Sequence, residues 1–132
     1  MNVISVVAAL IRNEAGRVLL VRKRGTAAFM QPGGKLGAGE SDVAALAREI
    51  GEELGCRMLA GTARRIGEFC CPAANEPGFE VRAAVYSVAV DGGIAPRAEI
   101  EEIAWVDPGA LPELNLAPLT RDYVLPLAAQ AG

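Results

Sequence analysis

The run Arg48-Glu49-Ile50-Gly51-Glu52-Glu53-Leu54-Gly55 sets carboxylates at positions 49, 52 and 53. In an α-helix these i, i+3 and i+4 positions share one side. At a separation of ~5–6 Å and an effective dielectric near ~20, each like-charged pair costs on the order of 3 kcal/mol, and far less when fully solvated. Something must offset that repulsion. No Lys or Arg is expected on the same face, which leaves a divalent cation as the compensating charge. The fold must therefore pack one face of this helix on a core and present oxygen ligands on the other.

The helix itself is well marked. Val43, Ala47, Ile50 and Leu54 follow i, i+4, i+7, i+11 spacing, which predicts a buried stripe roughly opposite the acids. Ser41 is a good N-cap, Asp42 suits the first turn, and Gly55 suits a left-handed residue past the C-terminus. These signals predict a helix over 42–54. Immediately upstream, Pro32-Gly33-Gly34-Lys35-Leu36-Gly37-Ala38-Gly39-Glu40 holds four glycines in seven residues. It reads as a flexible loop whose backbone can approach a ligand closely. A loop with free N–H groups feeding an acidic helix suits a phosphate-bearing substrate.

Taken together, the segment reads Gly34, five residues, Glu40, seven residues, then Arg48-Glu49-Ile50-Gly51-Glu52-Glu53-Leu54-Gly55-Cys56. This resembles the signature of the Nudix hydrolases. Every fixed position is filled, with Cys56 where a larger aliphatic residue is usual. The motif covers residues 34–56, and outside it the order of elements is similar to the family more loosely. The resemblance implies an α/β fold, an α/β/α sandwich around a mixed sheet, in a single domain over residues 1–132. It also implies metal ligation by Glu49, Glu52 and Glu53, with Glu40 and Gly34 adjoining the site. Arg48 looks similar to the family arginine that orients the adjacent carboxylates, and its i, i+4 spacing to Glu52 permits an ion pair.

Composition narrows the chemistry. The chain has 132 residues, 52% hydrophobic and 22% charged, enough for a real core and too apolar for disorder. The net charge of −3 argues against non-specific nucleic-acid binding. No apolar run is long enough for a membrane span, and Val3–Ile11 reads as a buried strand rather than a signal peptide. Three cysteines, two of them adjacent, form no disulfide framework or zinc spacing and fit a reducing cytoplasm. Histidine is absent. That removes His-dependent triads, His-ligated zinc and histidine bases, leaving carboxylates, metal, Lys, Arg or Tyr.

Along the chain, Val3–Ile11 and Arg17–Lys23 are predicted as hairpin partners and Thr26–Gln31 as a short connecting strand. Strands are predicted for Arg64–Cys71, Phe79–Val90 and Ile103–Val106, with a loop at Pro72–Gly78. A C-terminal helix over Leu119–Ala128 is expected to be disturbed by Pro126.

Several residues outside the motif are candidate contacts. Gly33, with backbone N–H, and Lys35, with its ammonium, could meet phosphate. Alternation puts Arg22 and Arg24 on one strand face, where they could neutralise phosphates, as an arginine near this point does in some relatives. Phe29 stands where relatives often carry an aromatic residue that could stack on a base. Gln31 is polar where an apolar residue is common. Arg82 and Tyr86 share a face of the long strand and could line the pocket. Many relatives carry a further Glu as ligand or base near Trp105; Glu102 is the first choice here and Glu99 the second.

The resemblance implies Mg²⁺ or Mn²⁺-assisted hydrolysis of a nucleoside diphosphate linked to another group. Glu52 or Glu53 would hold metal, and Glu49 or a late Glu would serve as base. A short chain starting almost at its first strand favours (deoxy)nucleoside triphosphates. Pro72, sixteen residues past Cys56, lies near where ADP-ribose hydrolases carry a proline and keeps nucleotide sugars open. A non-catalytic nucleotide sensor on the same fold is the reading from another class. The partner expected is a small nucleotide, with neither membrane nor nucleic acid, for a monomer or homodimer.

Overall fold

The first strand, Asn2–Leu10 (β1), feeds two separate cores. In the computed structural model, which describes residues 2–110 and 113–131, Val7, Ala9 and the following Ile11 pack on one side, and Ala8 and Leu10 on the other. Period-two alternation forces this division. The strand Val18–Lys23 (β2) repeats it, with Leu19 and Val21 opposed to Val18 and Leu20.

The remaining elements are β3 (Phe29–Met30), β4 (Gly33–Lys35), α1 (Asp42–Leu54), β5 (Arg57–Met58), β6 (Arg64–Pro72), β7 (Phe79–Ser87), β8 (Val90–Asp91) and β9 (Ile100–Val106). The C-terminal helix opens as a π turn at Thr120–Val124 and continues as α2 (Leu125–Ala131). A four-stranded mixed sheet runs β4-β1-β7-β6, with β1 and β7 parallel; β3-β2-β9 and β5-β8 are antiparallel. Helix α1 covers one core through Ala45, Leu46, Ile50 and Leu54, and the C-terminal helix covers the other through Val124, Leu125 and Ala128. The architecture is the expected α/β/α sandwich. Among the described residues, no helix is long and apolar enough to cross a membrane.

Helix α1 has the expected bounds and caps. Ser41 Oγ accepts from Ala44 N, and Gly55 adopts φ 70°. The stripe differs from expectation: Val43 is 42% exposed, whereas Ala45 and Leu46 are fully buried. The helix is rolled toward Glu53, which is itself buried.

β1 and β2 depart from a simple hairpin. They join only at its closed end, where Asn13 N donates to Arg17 O and Leu19 N to Ile11 O, and then diverge into different sheets. The glycine run is not wholly a loop. Gly33–Lys35 is an edge strand paired with Val6, Val7 and Ala8. A Cβ on Gly33, at φ 148°, would collide with the Val7 carbonyl, so glycine is what allows this pairing. At the other terminus, Pro126 cannot donate to a carbonyl four residues back, and its ring crowds that position. The preceding turn widens, and Leu125 N donates to Thr120 O instead.

Ile50 is fully buried and Val43 is not. Ile50→Ala should cost ~2–5 kcal/mol, while Val43→Ala should stay within about 0.5 kcal/mol. Urea unfolding monitored by circular dichroism checks both values.

Candidate active site

Four carboxylates and one guanidinium surround the contact between α1 and β4. Glu53 is 2% exposed, and its Oε1 accepts the Gly33 N–H at 3.0 Å. Burial is the main force on this group and pushes its pKa up to about 8. The Gly33 N–H pulls the other way, and the Glu49 charge adds to the rise. Glu49 lies one turn earlier. Its carboxylate sits so close over Gly34 that a Cβ there would clash with it. Desolvation raises the Glu49 pKa against the opposing pull of Arg48.

The expectation of no basic residue on this face fails at Arg48. Its guanidinium spans the acids: Nε and Nη2 donate to Glu40 at 2.8 and 2.9 Å, and Nη1 donates to Glu52 Oε1 at 2.9 Å and Glu49 Oε2 at 3.2 Å. Nη2 also donates to the Lys35 carbonyl at 3.1 Å. The long side chain folds back over its own helix, a reach that backbone position alone conceals. Glu40 additionally accepts from Gly37 N at 2.8 Å. The Arg48 hydrogen bonds hold its carboxyl down at about 2 and raise the guanidinium's own pKa. Glu52 is half exposed and, among the described residues, is held by Arg48 alone.

As placed, no three acidic or thiol groups among the described residues converge in a metal-ligating cluster. The donor set nevertheless has the hard oxygen character that Mg²⁺ requires. The glycine beneath Glu49 also leaves the space beside that carboxylate clear of a side chain.

A cleft of about 420 Å³ opens beside this assembly. Gly33, Gly34, Lys35 and Glu49 line it, as do Gln31, Lys23, Glu99 and Pro72. Apolar side chains of Ile4, Val6, Met30, Val81 and Leu119 form further wall. β4 is the sheet edge, and its two glycines leave no side chain between Glu49 and the cleft.

Other predicted residues fall elsewhere. Arg22 does not line the cleft; its Nε donates to Glu102 at 2.8 Å and its Nη1 to Thr26 O at 2.9 Å. Arg24 faces Glu101 at 3.7 Å and the Ala98 carbonyl at 3.2 Å. Lys23, on the β2 face that carries Leu19 and Val21, lines the cleft and pairs with Glu99 at 3.4 Å, just past a register shift of β2 against β9 between Arg22 and Lys23. Of the two late acids, Glu99 reaches the cleft and Glu102 is taken by Arg22. Phe29 is buried in the α2-side core. Arg82 faces Glu68 at 3.6 Å, and the Tyr86 hydroxyl donates to Asp42 at 2.8 Å; neither lines the cleft. Lys23, Leu119 and Cys71 were not expected there. The alternation that separates Lys23 from its two arginine neighbours was the available signal for the first.

Gln31 is 5% exposed and Thr120 fully buried. The Thr120 hydroxyl donates to Gln31 Oε1 at 2.7 Å. Gln31 Nε2 is buried with no hydrogen-bond partner among the described residues. An orphaned buried donor costs about 1–3 kcal/mol. Two backbone bonds bring these residues together: Phe29 N donates to Asn115 O at 2.7 Å, and Ala117 N to Phe29 O at 2.9 Å.

Comparisons with known proteins give the family. The NUDIX domain model matches residues 1–127. Over 105 residues the chain is 31% identical to a Bacillus subtilis (strain 168) protein whose name is a provisional 8-oxo-dGTP diphosphatase, covering 78% of this chain and 66% of that protein. It is 44% identical over 62 residues to the 8-oxo-dGTP diphosphatase of Haemophilus influenzae (strain ATCC 51907 / DSM 11121 / KW20 / Rd), covering 44% of this chain and 46% of the relative. The crystal structure of a MutT Nudix hydrolase from Burkholderia pseudomallei has a TM-score of 0.79 at 25% identity, over 98% of both chains. The chain belongs to the Nudix family of hydrolases. It spans just under two thirds of the length of the Bacillus relative, at 66%.

Glu53 couples the site to stability. Its folded value of about 8 exceeds the ordinary 4.5, so the folded protein holds a proton that the unfolded chain releases between those values. This contribution is fully present below pH 4.5 and is lost as pH rises through 8, by on the order of a few kcal/mol. Glu40, lowered from 4.5 to about 2, has the opposite sign: its contribution is present above 4.5 and lost as pH falls through 2. Thermal melts in chelator from pH 5 to 8 should show Tm falling, and Glu53→Gln should flatten that slope.

Proposed function

We propose that this chain hydrolyses a phosphoanhydride bond in a nucleoside diphosphate linked to another group, with (deoxy)nucleoside triphosphates as its substrates. The observation carrying this reading is the union of opposite chemistries in one cleft. Glu49, Glu99, Lys23, Lys35 and the glycine edge supply its charged part, and apolar side chains supply the rest. The 8-oxo-dGTP diphosphatase names of the relatives support a triphosphate.

Mg²⁺ or Mn²⁺ would be held by Glu49, Glu52 and Glu53, with Glu40 and the Gly34 backbone adjoining. It would supply Lewis acidity and neutralise phosphate charge. Lys23 and Lys35 offset the remaining charge of the polyphosphate. Arg48 fixes Glu52 and Glu40, and so limits the rearrangement the carboxylates need. Of the three cleft carboxylates, Glu76 faces Lys35 at 3.8 Å, and Glu49 and Glu99 remain to take a proton from the attacking water. Water oxygen bonds to phosphorus, the bridging P–O bond breaks, and the departing phosphate takes the electron pair. The products are a nucleoside monophosphate and pyrophosphate.

Pro72 lines the cleft, which favours ADP-ribose or a nucleotide sugar as the second substrate reading. The products then are the monophosphate and a phosphorylated partner.

A nucleotide panel with Mg²⁺ or Mn²⁺, analysed for products, tests the proposal. Turnover should be abolished by chelator, and Glu53→Gln and Glu49→Gln should each lower kcat by ~10²-fold or more while keeping the fold. Lys23→Ala should raise KM by about tenfold. A panel without turnover under either metal would overturn hydrolysis and favour a nucleotide sensor.

A further inference from the structure

Glu99 reaches the cleft from a turn that the chain holds in an unfavourable shape. Ile100 N donates to Arg97 O at 3.0 Å, which makes Ala98 and Glu99 the two central residues. Ala98 has φ 54°, in the left-handed region, and the other eight positive-φ residues described are all glycines. A turn with this backbone normally takes glycine there, because a Cβ is penalised. Ala98 is exposed, so packing does not call for its methyl group. Contacts on both sides keep the turn in place. Arg97 N donates to Glu53 O at 2.9 Å, Arg24 N to Glu99 O at 2.7 Å, and Arg24 Nη2 to Ala98 O at 3.2 Å. The Arg97 side chain lies so close over Gly55, at the end of α1, that a Cβ there would collide with it. The turn is thereby docked on the helix that carries Glu49 and Glu53. The Glu99 carboxylate meets Lys23 at 3.4 Å, and both residues line the cleft. Backbone strain persists where the surroundings over-determine it, and it gathers at functional sites.

We propose that Ala98 is a positioning residue whose left-handed backbone stiffens the 97–100 turn and so holds Glu99 at the cleft for the hydrolytic step. This rests on the reading that Glu99 takes part in hydrolysis. Glycine would fit the turn without a steric penalty, but it also populates many other backbone shapes, and each would swing the next residue elsewhere. Alanine has only a small left-handed well. The hydrogen bonds from Arg97 to Glu53 and from Arg24 to Ala98 and Glu99 keep it in that well. Some stability is given up for a fixed Glu99. The exchange is worthwhile at a reacting centre, where a displacement of ~1 Å can cost on the order of 10²-fold in rate.

Ala98→Gly separates rigidity from fit. The variant should melt at or above the wild-type Tm, because the steric penalty is gone. Its kcat should nevertheless fall by about threefold or more, with KM within about twofold. Ala98→Asn keeps a side chain and tolerates the left-handed region, so it should restore kcat. In a Glu99→Gln background, Ala98→Gly should change kcat little further, since the turn acts through that carboxylate. Nitrogen-15 relaxation gives a readout without turnover: order parameters at 97–100 should be about 0.85 in the wild type and fall toward about 0.6 in Ala98→Gly. If Ala98→Gly is as fast as the wild type, or slows the Glu99→Gln protein just as much, the inference is overturned and the hydrolysis stands. The same holds if Glu99→Gln alone leaves kcat unchanged, with Glu49 then the base. If no protein hydrolyses any nucleotide, the hydrolytic reading falls. Unchanged order parameters would then overturn the stiffened turn as well, and reduced ones would keep it as the fastening of Glu99 at the cleft.

Discussion

One hydrogen bond between helix and sheet organises the site: Gly33 N to Glu53 Oε1, at 3.0 Å, inside the protein. A buried carboxyl is costly unless paired or neutral. Here burial drives it toward the neutral form while the amide fixes its orientation. Because Glu53 must reach β4, helix α1 cannot roll its apolar stripe fully inward, and Val43 is left in solvent. The same roll lays Glu49 over Gly34. A helix docked on apolar contacts alone would have no reason to stop at this angle. The glycines of β4 are the complement to that constraint: Gly33 lets the strand close on Val7, and Gly34 makes room for the second acid.

The remaining repulsion is handled by Arg48. One guanidinium faces Glu40, Glu49 and Glu52, so the acids are held near one another without converging on a common point. Each exposed pair contributes little alone. Their joint effect is positional, since the arginine also grips the Lys35 carbonyl at the end of β4. Helix, glycine strand and the loop carrying Glu40 are thereby tied at one surface. The carboxylates at this surface are thereby held in fixed orientations, with Glu49 and Glu52 sharing one guanidinium nitrogen.

How much of this was legible depends on range. The helix bounds and both caps follow from Ser41, Asp42 and Gly55 because capping is a local hydrogen-bonding problem. The motif brought Glu49, Gly33, Gly34 and Lys35 to the cleft in the structure, and Gln31 stood out as polar at an apolar position. Strand pairing was less readable. The apolar runs of β1 and β2 announce strands, but nothing local states that they part into different sheets. Alternation set Lys23 apart from Arg22 and Arg24, on the face of Leu19 and Val21, but it could not state which face meets the cleft. The late acids follow their cross-strand partners: Glu102 lies opposite Arg22, and past the register shift Glu99 pairs with Lys23. That pairing joins segments about eighty residues apart, so nothing local to either strand reveals it.

The same long-range logic accounts for the cleft wall at Gln31. Thr120 meets Gln31 across 89 residues of sequence because the segment around Leu116 pairs in parallel with Phe29. Phe29 is then needed in the core and is unavailable for stacking. Pro126 opens the following turn into a π geometry, a distortion often found where function demands an unusual side-chain placement. Thr120 begins that turn. The wider turn shifts the phase of the following Leu125 and Ala128, which pack in the core, relative to Thr120 by a fraction of a turn. The structure keeps the wider turn together with an unpaired amide donor beside it. The wide turn has a local cause in Pro126, so the cost specific to the cleft is the Gln31 amide, which an apolar residue at position 31 would remove outright.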